Sequence, residues 1–155
     1  MKRLSLKRTL LLWGVFLMLF FRVISCFASA FLDPDTAFNL KAELNSSRTI
    51  VLHWTIAKGY KLYRDKVTVG VESGKAPFQA PVLPKGIIFS MPTSGEKLDI
   101  YHDQLHLELP LVKTVGPFTL IVEYQGCAED GLCYPPVTKS FKVDPARPGL
   151  LSTGG

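Results

Sequence analysis

Cysteine, histidine and tryptophan are scarce in this chain, with three, three and two in 155 residues. A structural metal site needs about four ligands. The supply here is thin, and His53 and His106 fall in alternating stretches with no ligand spacing near a cysteine. Acidic residues are missing from the first thirty positions, which carry Lys2, Arg3, Lys7, Arg8 and Arg22. A sustained helical period is missing from everything after residue 30, and so is any repeat of useful length.

The acid-free start has the layout of an export signal. A basic opening is followed by an apolar run from Thr9 to Phe21, then by the small-x-small site Ala28-Ser29-Ala30. A membrane-spanning helix needs about 20 apolar residues, and Arg22 interrupts where the run would have to continue. Residues 1–30 are therefore expected to be a signal peptide, with the mature chain beginning at Phe31. A competing cut exists at Val23-Ile24-Ser25-Cys26, which loosely resembles a lipoprotein box and would leave Cys26 as a lipidated N-terminus. Ala28-Ser29-Ala30 is the cleaner site.

Removing the leader changes the electrostatic reading. The whole chain has 18 basic and 13 acidic residues, and five of the basic ones lie in the leader, which leaves 13 against 13. A mature chain near neutrality gives no support for nucleic-acid binding. About 125 residues remain, enough for one domain with its own core. Export implies an oxidising compartment, in which a disulfide persists. Only Cys127 and Cys133 remain to form one.

What is abundant is alternation. Phe38, Leu40, Ala42 and Leu44 alternate with polar neighbours, as do Leu105, Leu107 and Leu109. Ile50, Leu52, Trp54 and Ile56 form a third set, Phe118, Leu120, Val122 and Tyr124 a fourth, and Phe141 with Val143 a fifth. Period two marks strands with one buried face. Turn signals separate them at Asn45-Ser46-Ser47, Lys58-Gly59, Ser73-Gly74 and Gly116-Pro117. The pattern predicts an all-β, antiparallel sandwich. Pro77, Pro81, Pro84 and Pro92 predict edge and loop segments between Ala76 and Gly95, since proline is excluded from central strands. From Pro145 the tail PARPGLLSTGG reads as disordered.

The segment YQGCAEDGLCYPP, Tyr124 to Pro136, carries the chemistry. Three readings compete for its cysteine pair. A structural staple is the default in an exported chain, but loop entropy gives such a small ring only about 2–2.5 kcal/mol, roughly half of what a long-range bridge contributes. A metal clip lacks ligands. A redox centre is favoured by Gly126 and Gly131, which ease a tight ring and leave its backbone approachable. Pro135-Pro136 stiffens the exit. Glu129 and Asp130 place negative charge beside the thiols, and more so beside Cys127, which disfavours its thiolate.

YQGCAEDGLCYPP followed by Thr138-Lys139 closely resembles the N-terminal periplasmic domain of the DsbD thiol:disulfide interchange family. GYKLYRDKV from Gly59 to Val67, LDIYHDQLHLELPL and FLDPDTAFNL match its pattern in the same order, so the resemblance runs from about Phe31 to Val143. It implies an immunoglobulin-like sandwich over residues 31–144 with the cysteines on an exposed hairpin. It implies a periplasmic protein thiol-disulfide oxidoreductase that uses no cofactor and no metal. Electrons would come from an upstream membrane or thioredoxin-like donor. They would pass to thioredoxin-like partners of the disulfide-isomerase or cytochrome c maturation type. By position, Cys133 matches the cysteine that forms mixed disulfides and Cys127 its resolving mate. Tyr60 and Tyr63 match aromatic positions near the sulfurs, and Tyr134 is expected to pack there too. The rival expectation is a non-catalytic sandwich that binds a partner and keeps a structural disulfide.

Three departures accompany the resemblance. Lys61 stands where better-known members carry an aromatic residue. The cap loop, which there carries a shielding Phe, aligns with Met91-Pro92-Thr93-Ser94, and Phe89 is the nearest aromatic. Shielding is therefore not expected to work in the same way. The chain also ends at Gly155, where DsbD continues into a membrane electron carrier and a thioredoxin-like domain, so the electron source is expected to be another polypeptide.

Overall fold

The computed structural model describes residues 31–91, 95–112 and 116–154. The leader, Cys26 and the Pro92–Ser94 part of the cap loop lie outside the described residues.

The chain enters through a four-residue helix, α1 (Pro34–Ala37), capped by the Asp33 side chain, which accepts from the Asp35 N–H at 3.0 Å. The rest is strand. The first sheet orders β11 (Gly149–Leu150), β1 (Phe38–Leu44), β2 (Thr49–Ile56) and β7 (Gln104–Pro110). The second orders β12 (Thr153–Gly154), β10 (Val137–Val143), β8 (Phe118–Tyr124) and β4 (Thr68–Val71). The third orders β5 (Ile87–Ser90), β6 (Lys97–Tyr101), β3 (Tyr60–Tyr63) and β9 (Gly126–Ala128). The pairings within all three sheets are antiparallel.

The alternation seen in the sequence is the inward register of these strands. Ile50, Leu52 and Trp54 stand opposite Leu109, Leu107 and Leu105, and all six are buried. Leu120 pairs with Phe141 on the second sheet, and both are buried. The buried faces meet in one core, in which Trp54 from β2 packs edge-on to Tyr124 from β8 at 5.9 Å between ring centroids. This is the immunoglobulin-like antiparallel sandwich that alternation and resemblance predict. On the solvent side of the first sheet His53 and His106 are direct cross-strand partners, 6.0 Å apart between ring centroids.

The turns follow their residues. Asn45 closes the β1–β2 hairpin with its side-chain oxygen, which accepts from the Thr49 N–H at 2.8 Å. Gly59 supplies the positive φ of +80° that starts β3. The proline-rich stretch is loop up to β5, an edge strand, as proline placement requires. Arg64 ties it down, donating from Nε to the Pro84 carbonyl at 2.9 Å and from Nη2 to the Leu83 carbonyl at 3.1 Å.

The tail differs from expectation. Residues 145–155 read as disordered by composition, yet Gly149 and Leu150 pair with Leu44 and Glu43, and Thr153 and Gly154 pair with Phe141 and Ser140. The Leu151 N–H donates to the Ala42 carbonyl at 2.9 Å, and its side chain is buried, 9% exposed. Strands β1 and β10 each have an open edge, and a short tail with one apolar anchor satisfies both. Composition does not register an open edge elsewhere in the fold.

Candidate functional site

The third sheet carries the site. After β8 the chain passes through Gln125 into β9 and turns back at once. The Ala128 N–H donates to the Leu132 carbonyl at 2.7 Å, and the Tyr134 N–H donates to the Gly126 carbonyl at 3.1 Å. Between these bonds Cys127 and Cys133 face each other as an antiparallel bridge pair and form a disulfide six residues apart in sequence. Gly131 takes a φ of +102° at the tip, where most side chains would be strained.

Gly126 is required for a different reason. A Cβ there would press into the Phe38 ring and stand 2.6 Å from the Lys61 carbonyl oxygen. The glycine lets the cysteine hairpin lie directly on β3 and on the core. The Glu129 N–H donates to the Gly59 carbonyl at 2.8 Å, which pins the far side of the ring.

The two sulfurs are not equivalent. Cys127 is buried, 2% exposed, whereas Cys133 is an exposed residue followed by the exposed Pro135 and Pro136. A cavity of about 220 Å³ opens over the disulfide. Cys127, Cys133, Tyr63, Met91, Leu98 and Gln125 line it, with Asp65, Lys66 and Glu96 adding charge at its wall. Burial raises the Tyr63 phenol above its ordinary value, and the Asp65 carboxylate raises it further.

Of the three tyrosines expected around the sulfurs, only Tyr63 shares the cavity with them. Tyr60 is opposite Ala128, while Lys61 is opposite Cys127. Successive side chains leave a strand on opposite faces, so Tyr60 turns into the core and Lys61 takes the cysteine face. Tyr60 and Tyr134 are buried beneath the hairpin, where Phe38 meets both edge-on at 6.0 and 5.7 Å. The Gln125 side chain donates from Nε2 to the Tyr134 carbonyl at 2.9 Å and braces the return strand.

The β5–β6 hairpin covers the site from the other side. The Met91 N–H donates to the Glu96 carbonyl at 2.8 Å, which closes the described part of that hairpin. Met91, not an aromatic residue, reaches the cavity beside the cysteines. Phe89 is engaged elsewhere, with the Lys61 ammonium 3.9 Å from its ring centroid. Sequence reasoning passed over Leu98, Gln125 and the Asp65–Lys66 pair. Their signal is only their place in the segments that surround the site, Asp65 and Lys66 in GYKLYRDKV, Leu98 in LDIYHDQLHLELPL and Gln125 in YQGCAEDGLCYPP.

Comparison with known proteins gives one family match, two relatives and two solved structures. The family model for the N-terminal part of the thiol:disulfide interchange protein DsbD matches residues 28–145. DsbD of Ralstonia nicotianae is 34% identical over 119 residues, covering 77% of this chain and 20% of that protein. DsbD 1 of Pseudomonas aeruginosa is 36% identical over 115 residues, covering 74% and 19%. The chain thus spans about a fifth of the length of these relatives. Among solved structures, the reduced DsbD N-terminal domain of Neisseria meningitidis aligns with a TM-score of 0.69 at 28% identity, covering 83% of this chain and 98% of that one. A complex between the DsbD N-terminal and PilB N-terminal domains of the same organism aligns with a TM-score of 0.61 at 30% identity, covering 72% and 85%.

Proposed function

The chain belongs to the DsbD N-terminal domain family, and we propose that it is a periplasmic thiol-disulfide exchange module. Residues 31–144 would form the working domain, delivered by a leader over residues 1–30. The observation that carries this reading is the asymmetry of the bridge, with Cys133 exposed and Cys127 buried on one tight hairpin. A thiolate must approach the sulfur it attacks along the disulfide axis, so access selects which sulfur a partner can reach.

The reaction balances as follows. In the reduced domain, the Cys133 thiolate attacks one sulfur of a partner disulfide. A Cys133–partner bond forms, and the other partner sulfur leaves as a thiolate and takes a proton from water. The Cys127 thiolate then attacks the Cys133 sulfur. The Cys127–Cys133 bond forms, the bond to the partner breaks, and the partner leaves fully reduced. Two electrons have moved to the partner. An upstream thioredoxin-like donor, attacking the exposed Cys133, would return the domain to its dithiol form by the reverse steps.

Thioredoxin-like partners of the disulfide-isomerase or cytochrome c maturation type fit a small, open cavity floored by the bridge. A related domain of Neisseria meningitidis has been solved in a complex with another protein's domain, which supports a protein partner. The test is trapping. Cys127→Ala is expected to accumulate a mixed disulfide with periplasmic thioredoxin-like proteins, because no thiol remains to resolve it. Cys133→Ala is expected to trap little or none. Equal trapping by both variants would overturn the roles. If neither variant traps a protein and thioredoxin-like donors fail to reduce the wild-type bridge, the domain is a binding module with a structural disulfide.

A further inference from the structure

Release of a partner from Cys133 falls to Cys127. It is buried, which penalises its thiolate. Carboxylates are near it in sequence and in the cavity wall: Glu129 and Asp130 follow it in the ring, and Asp65 and Glu96 line the cavity it shares. The cation on that wall, Lys66, is tied to Asp65 at 3.3 Å, and Glu129 leans towards His102 at 3.7 Å. Yet the resolving step in the exchange reaction needs Cys127 as a thiolate. The inference below rests on that reading of the site.

One further cation, its ammonium over the Phe89 ring, stands on the strand beside Cys127. The register of the β3–β9 ladder sets Lys61 directly opposite it, so both side chains leave the sheet on the same face, with Cβ atoms about 5 Å apart. Lys61 is 8% exposed and is the charged residue in the buried set of the described structure. A buried ammonium is costly unless an opposite charge or a hydrogen bond compensates it. Among the described residues the Lys61 ammonium is in no ion pair. It rests on the face of the Phe89 ring, 3.9 Å from its centroid. A ring face offsets part of that cost but supplies no full negative charge.

We propose that Lys61 is a positioning residue for the resolving thiol: its ammonium favours the Cys127 thiolate across the strand pair and so speeds release of the partner from Cys133. In the bridged state Cys127 carries no charge, and the ammonium is held by Phe89. Once Cys133 is joined to a partner, Cys127 is a free thiol whose cross-strand neighbour Lys61 is in no ion pair among the described residues. Loss of its proton to water then creates a negative charge on the residue paired with Lys61, within reach of its flexible side chain. The thiolate attacks the Cys133 sulfur, the intramolecular bond forms and the partner thiolate departs.

Two measurements test this without any protein partner. The first is the pH profile of Cys127 alkylation in a Cys133→Ala chain, read on the Cys127 peptide by mass spectrometry. In Lys61→Met the midpoint is expected to rise by about one pH unit, which is about tenfold slower alkylation below it. Lys61→Arg, which keeps the charge, should restore most of the shift. Lys61→Gln carries the same comparison if the methionine variant does not fold, as judged by circular dichroism. The second uses the chain with both cysteines, loaded at Cys133 with glutathione as a mixed disulfide. Release of glutathione by Cys127 should slow about tenfold in Lys61→Met, while loading of Cys133 is unchanged. An unshifted alkylation midpoint, or a release rate equal to that of wild type, overturns the proposal. Failure to trap a protein partner would remove the exchange reading and leave both of these results standing.

Discussion

The Tyr60 and Tyr134 rings lie 6.2 Å apart, and their hydroxyls grip the same residue from two sides. The Tyr60 hydroxyl accepts from the Leu32 N–H at 2.8 Å, and the Tyr134 hydroxyl donates to the Leu32 carbonyl at 2.5 Å. The segment that enters the domain is thereby tied to strands on both arms of the cysteine site. Tyr60 belongs to the strand beneath the ring, and Tyr134 follows Cys133.

That clamp predicts a pH dependence. The Tyr134 phenol is pushed up to about 12, first by burial, then by its contact with Tyr60. Tyr124 is raised as well, chiefly by burial. Below the ordinary phenol value near 10.0, both folded and unfolded chains hold the proton. Above it the unfolded chain releases protons that the folded chain keeps, so stability is lost as pH rises towards 12. The urea midpoint should fall between pH 9.5 and 11.5, values chosen to straddle about pH 10. Tyr134→Phe should lower stability at pH 7 by about 1 kcal/mol through the lost hydrogen bond, and should flatten the alkaline slope. An alkaline slope equal to that of wild type would contradict the Tyr134 assignment.

Reduction of the bridge should leave the fold in place. The hairpin keeps its Ala128–Leu132 and Tyr134–Gly126 backbone bonds, and the core is built by strands that the disulfide does not join. The expected loss is about 2 kcal/mol, the loop-entropy value for so short a ring. Far-ultraviolet circular dichroism should be unchanged on mild reduction, with a lower unfolding midpoint. Cooperative unfolding on reduction at 25 °C would make the bridge a staple instead.

Gly126→Ala should be among the most damaging small substitutions. Its methyl group would meet the Phe38 ring and stand 2.6 Å from the Lys61 carbonyl oxygen. Overpacking of this kind costs about 1–3 kcal/mol. Gly70→Ala is the control, since nothing lies within 4 Å of its Cβ position and its φ is not positive. Chemical denaturation of the two variants decides the matter, and equal midpoints would refute the packing argument.

The N-terminus of the exported protein should be Phe31. Leu32 is the residue the two tyrosines hold, and Ala28-Ser29-Ala30 lies just before that clamp. Intact mass of the protein recovered from the periplasm checks this. A diacylglycerol-bearing species that starts at Cys26 would overturn it.

Much of the framework was legible in the sequence. Strands β2 and β7 carry buried residues at every second position, and β1, β8 and β10 do so over part of their length; a half-buried strand imprints that period directly. Strands β3, β5 and β9 were not legible as strands. They are three or four residues long, and the burial of β9 is continuous rather than alternating. Composition does not show the tail strands because Leu150 and Leu151 sit among Pro, Gly and Ser, which favour disorder, while the open edges of β1 and β10 provide order.

The sequence by itself determined that two cysteines share a tight ring in a mostly strand-built domain, since count, spacing and alternation depend on nothing distant. Tertiary structure alone decided which sulfur meets solvent. It also decided that Tyr60 and Tyr134 serve the core while Tyr63 serves the cavity, and that Lys61 pairs with Cys127 across the strands. Those outcomes follow from the β3–β9 register, and register is set by how separate segments pair. A slip of one residue would exchange the two faces without changing a single local propensity.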